Sequence, residues 1–137
     1  MSKLWLALCL LGLFLVSLLA LSCGTSSQGP TGQLQSITLM PAMADAQDYP
    51  DGNVPFVATG IYADPPITIA PLTASWGVCQ KGLPTVFASV STTGVASCAS
   101  GAAGAYQVFA FKPTNCTAIN ACGGGCTVVG TAQLTCP

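Results

Sequence analysis

The sequence predicts an all-β domain, a disulfide-stapled sandwich of about seven strands, and three observations predict it. From Leu34 onward the chain is a succession of short runs enriched in Val, Ile, Thr and aromatic residues, each bounded by Gly, Pro, Asp or Asn. No stretch of about eleven positions repeats apolar residues at helical spacing. The same region holds Cys79, Cys98, Cys116, Cys122, Cys126 and Cys136, an even set of the kind that staples small exported domains.

In chain order the runs are Leu34 to Met40, Pro55 to Tyr62, Ile69 to Trp76, Thr85 to Ser91, Tyr106 to Lys112 and Cys126 to Cys136. Alternation assigns their faces, because successive side chains of a strand point to opposite sides. Phe56, Ala58, Gly60 and Tyr62 share one face, which is expected to point inward, opposite Val57, Thr59 and Ile61. Tyr106, Val108 and Ala110 share another, and Gln107 marks the opposite set, with Phe109 and Phe111, as outward.

Before these runs, Lys3 precedes an almost unbroken apolar stretch from Leu4 to Leu21 that closes on Ala20-Leu21-Ser22-Cys23-Gly24. That is the layout of a secretory signal. A small residue directly before the cysteine resembles the lipobox of bacterial lipoproteins, with Ala20 standing where leucine is usual. The resemblance implies removal of residues 1–22, a covalent lipid on Cys23 and, with Gly24 in place of an aspartate, sorting to the outer membrane. No other cofactor is expected. The stretch is also just long enough to be kept as a membrane helix; either way the rest of the chain is exported. Residues 23–33 then form the lipidated cysteine and a small, polar tether, and residues 34–137 the domain.

The charge inventory excludes whole classes of function. Among 137 residues there is no histidine, arginine or glutamate, and the exported part holds Lys81 and Lys112 against Asp45, Asp48, Asp51 and Asp64. A nucleic-acid surface needs clustered cations to displace counterions from phosphate. Acid-base and nucleophilic catalysis need a positioned base. Neither requirement is met, so the chain reads as non-enzymatic and without nucleic-acid partners. Cys116, Cys122, Cys126 and Cys136 lack the paired C-x-x-C spacing of zinc modules, so no metal is expected. Asp45, Asp48 and Asp51 depart from the alternating spacing of a calcium loop and read as a solvated turn. Asn115-Cys116-Thr117 matches a glycosylation sequon, which carries no weight in a bacterial lipoprotein.

The succession Leu34 to Pro41, Phe56 to Asp64 and Leu72 to Trp76, then Gly94-Val95-Ala96, Ala103 to Ala110 and Val129 to Thr135, resembles a bacterial immunoglobulin-like domain of group 2 over nearly all of residues 34–136. The resemblance implies an immunoglobulin-like sandwich with Trp76 on the strand that buries its tryptophan, and Tyr106 at the tyrosine corner. Val108 then occupies the place of the sandwich cysteine, so the usual inter-sheet bridge is absent. On that placement Cys79 and Cys98 are expected to pair, and the other four cysteines to staple the last hairpin in pairs left open.

The connection after Lys112 is longer than a hairpin needs, and long ordered loops are often binding loops. Phe109, Phe111, Lys112 and Asn115 are therefore the candidate interaction surface. The competing reading is that the loop simply covers the two phenylalanines. The expected function is a structural or protein-interaction module, of adhesion type, engaging an envelope or surface protein. The alternatives are self-assembly of copies through open sheet edges and glycan or cell-wall binding on aromatic platforms.

Overall fold

The computed structural model describes residues 32–63, 65–120 and 122–137. The expectations for the signal segment, Cys23 and Asp64 lie outside the described residues. In chain order the strands are β1 (Leu34–Met40), β2 (Met43–Asp45), β3 (Val54–Pro55), β4 (Val57–Tyr62), β5 (Ile67–Ile69), β6 (Ser75–Gln80), β7 (Leu83–Pro84), β8 (Ala88–Val90), β9 (Val95–Cys98), β10 (Gly104–Phe111) and β11 (Val129–Cys136). Among the described residues no helix is long and apolar enough to cross a membrane.

The strands form sheets of order β1-β4-β5, β3-β9-β8 and β2-β11-β10-β6-β7. The first two are successive parts of one layer, because β3 and β4 are one inward-alternating run in which Val54, Phe56, Ala58 and Tyr62 are all buried. The run pairs first with β9 and then with β1 and β5. The five-stranded sheet lies opposite. Leu34, Ile37, Leu39, Phe56 and Ala58 from one layer and Val78, Tyr106, Val108, Ala110, Ala132 and Leu134 from the other merge into a single core. Each fully buried aliphatic or aromatic side chain contributes about 1.5–3 kcal/mol by leaving water. The fold is thus an all-β, sandwich-like domain with three disulfides.

Local rules explain the departures from simple alternation. Leu34 and Ile37 differ by an odd number of residues yet are both buried. The register against β4 slips between Leu34 and Ser36; such a bulge puts two residues opposite one and lets both apolar side chains turn inward. The run expected from Ile69 to Trp76 is divided. Ile67–Ile69 stays with β4, while Ser75–Gln80 joins the other layer beside β10. Pro71 explains the break, since it has no N–H for a ladder, and Leu72 N donates to Ala58 O at 2.8 Å as the chain leaves the sheet. The expected strands Thr85 to Ser91 and Cys126 to Cys136 shorten to β8 and β11. Lys81 and Gly82 both have positive φ, 52° and 78°, which closes the β6-β7 hairpin on the two-residue turn whose twist suits paired strands.

The layers approach closely at Gly130. A methyl group built there would lie 2.6 Å from Ile37 Cγ2 and 3.0 Å from Ile37 O, so β1 and β11 pack where no side chain fits between them. Tyr106 O–H donates to Ala103 O at 3.4 Å, tying the start of β10 to the loop before it. Trp76 is inward-facing and only partly buried against the core, at one end of the sandwich.

Candidate functional site

The site is built on the outer face of the five-stranded sheet. β10 presents Gln107, Phe109 and Phe111 there, and β6 presents Cys79 opposite Gln107, Gly77 opposite Phe109 and Ser75 opposite Phe111. The outward assignment of the phenylalanines holds, but their exposure does not: Phe109 is 8 % and Phe111 2 % exposed, and Cys79 is fully buried. These three side chains stand apart from the main core, on the far side of the sheet, so something else covers them.

The cover is formed by the described residues of the connection, 112–120 and 122–128, which fold back over the sheet as a lid. A methyl group built on Gly123 would lie 3.4 Å from Phe109 Cδ1 and 3.0 Å from Val129 Cγ1, so the lid backbone presses directly on the ring. Cys122, next to Gly123, is bonded to Cys79, which fixes the lid to the middle of the sheet. The base of the lid is a short antiparallel ladder. Thr117 N donates to Gly125 O at 2.8 Å and Thr127 N to Asn115 O at 2.9 Å, and between these bonds Cys116 faces Cys126. That is a non-hydrogen-bonded pair, the closer of the two kinds, and the two cysteines are joined there. At the tip, Asn120 Oδ1 accepts from both Cys122 N and Gly124 N at 2.9 Å, a side chain standing in for missing backbone partners. Three glycines that would be pliant alone are therefore held by two bridges and a bifurcated cap.

Phe109 and Phe111 consequently cannot serve as a contact surface. Lys112 and Asn115 are half-exposed at the base of the lid, and Ile119, 64 % exposed, is its most prominent apolar side chain. Sequence reasoning missed Ile119, although it is the one large aliphatic residue between Lys112 and Cys126.

The expected bridge between Cys79 and Cys98 is not made. Cys98 is bonded to Cys136 instead, and strand parity gives the reason. Cys79 is an odd step from inward Trp76 and Val78 and so lies on the outer face. Cys98 is two residues from fully buried Ala96, and Cys136 two from fully buried Leu134, so both point into the sandwich from opposite layers. The position at Val108 carries no bridge, as expected, yet the layers are still joined covalently, at the end of the sandwich rather than its centre.

Two other features bear on chemistry. Asp45 Oδ1 accepts from Gln47 N at 3.0 Å, capping a turn of 3-10 helix, so one of the four carboxylates has a structural task. Among the described residues no polar or charged side chain is buried. No family model matches this chain, and no curated protein sequence matches it.

Proposed function

We propose that this chain is an exported, lipid-anchored protein whose immunoglobulin-like domain is a non-enzymatic structural or protein-interaction module. The observation that carries this reading is a surface poor in charge and rich in exposed apolar side chains, set on a frame fixed by three disulfides. Met40, Met43, Leu83, Val86 and Ile119 are each more than 60 % exposed. Apolar side chains held in fixed positions suit docking against another protein. Three closed disulfides favour an oxidising compartment, in keeping with export and a lipid on Cys23 at the outer membrane. Strand order supports the immunoglobulin-like assignment: β11, β10 and β6 stand as the G, F and C strands of that sandwich do, with β1, β4, β9 and β8 opposite. The lack of histidine, and of any buried charged side chain among the described residues, favours contact over catalysis.

The glycan reading has less beneath it, since Phe87 is the one aromatic side chain strongly exposed among the described residues. Membrane fractionation with cross-linking tests the interaction reading. The wild-type chain is expected to lie in the membrane fraction, cross-linked to a protein, and to incorporate labelled fatty acid that Cys23→Ala does not. A chain that forms no protein cross-link in native membranes contradicts the reading.

A further inference from the structure

The five-stranded sheet ends in two open edges, β2 and β7, at opposite sides of the domain and roughly 19 Å apart at the usual strand spacing. They differ in shape and in charge. Beside β7 the chain raises an apolar knob, Leu83, Val86 and Phe87, exposed by 69, 85 and 50 %, with the exposed Lys81 next to it in the hairpin turn. Beside β2 lies a groove of about 430 Å³ lined by Met43, Ala44, Asp45, Asp48, Tyr49 and Gln133, among others. The three described aspartates, Asp45, Asp48 and Asp51, all belong to the segment that begins at β2. One edge is therefore a knob with a cation, and the other a groove in which Met43, Ala44 and Tyr49 stand beside anions.

We infer that copies of this chain join head to tail, the Leu83-Val86-Phe87 knob of one seating in the Met43-Tyr49 groove of the next, with Lys81 against Asp45 and Asp48. This rests on the interaction reading above and names the partner as a second copy. The charge complementarity argues for a copy over an unrelated protein, because both halves of the contact exist on one molecule. A contact between two different patches is heterologous, so it propagates into a chain or ring instead of stopping at a symmetric dimer. Opposite charges at the rim set register and orientation, and burial of the knob supplies most of the affinity. β2 and β7 are also edge strands that could add main-chain hydrogen bonds across the junction.

The test uses the full chain, extracted in mild detergent as a mixture of ordinary and nitrogen-15-labelled protein and cross-linked with a carbodiimide that joins lysine to carboxylate without a spacer. The expected result is a ladder whose mixed-isotope peptides link Lys81 to Asp45 or Asp48. K81D and D48K should each reduce self-association at least tenfold, and mixing the two variants should restore the Lys81 links at the junction where the unaltered knob of D48K meets the unaltered groove of K81D. Both positions are exposed, and aspartate tolerates the left-handed backbone of Lys81, so loss of folding is not an expected complication; unchanged thermal unfolding of each variant checks this. A monomer that cross-links to a different protein overturns the head-to-tail contact and leaves the interaction reading standing. A monomer without any protein cross-link overturns both. Self-links formed equally through Lys112, or insensitive to K81D, overturn the assigned edges.

Discussion

Phe109 and Phe111 separate two roles that predict opposite outcomes. As contact residues they would tolerate truncation and lose only binding. Buried at 8 % and 2 % exposure, they are packing residues, and Phe111→Ala should lower unfolding stability by about 3–5 kcal/mol, measured by denaturant titration. A stability unchanged within about 0.5 kcal/mol would show that the ring is in water. Gly130 makes the complementary point about close approach. Gly130→Ala drives a methyl group into Ile37, and overpacking of this kind costs about 1–3 kcal/mol, read by the same titration. Face assignment for the phenylalanines was legible from alternation with Gln107. Their burial was legible only as one of two readings, the loop covering them or leaving them free, because periodicity carries no information about what lies on top of a sheet; the structure realises the covering.

At the scale of elements, the lid is a small layer with one 3-10 turn, Pro113–Asn115, and a two-bond ladder at its base. Disulfides supplement so short a ladder, and their loss should be graded. In the chain-entropy model a bridge spanning 43 residues, as Cys79–Cys122 does, contributes about 4 kcal/mol, and one spanning 10, as Cys116–Cys126 does, about 3 kcal/mol. Replacing both Cys79 and Cys122 by alanine should also release the lid from the phenylalanines, so binding of an apolar fluorescent dye should rise; replacing Cys116 and Cys126 should raise it less. Equal dye binding by both pairs would mean that Cys122 does not hold the cover. Asn120→Ala removes two backbone partners and should speed amide exchange at Cys122 and Gly124 while the exchange of β10 stays slow. β1 was legible to the residue, since Leu34 and Met40 are bounded by turn signals on both sides. The division of Ile69 to Trp76 was marked by Pro71, and the pairing of the cysteines was implicit in parity: carried from Trp76 through Cys79 and from Ala96 to Cys98, alternation places those two thiols on different faces.

For the molecule as a whole, the few charges on the described residues are unevenly placed. Carboxylates lie along the segment after β1, and Lys81 lies at the opposite edge of the five-stranded sheet. That polarity could not be read from the sequence alone, because only the order β2-β11-β10-β6-β7 puts Asp45 and Lys81 at opposite ends of one sheet. Association through these edges should weaken as salt rises, since rim charges are screened beyond about 10 Å at 0.1 M, though the apolar knob should keep part of the affinity. Sedimentation of the detergent-extracted chain at increasing salt checks this, and an association that strengthens with salt would assign the contact to apolar burial alone.

The lid decides which surfaces are free for any partner, and its tether is the most direct thing to measure. Peptic digestion of the unreduced chain followed by mass spectrometry should recover Cys79 with Cys122, Cys98 with Cys136 and Cys116 with Cys126. Recovery of Cys79 with Cys98 would contradict it, because Cys122 would then have no bond to β6, and the cover over Phe109 and Phe111 would lose its anchor at the middle of the sheet.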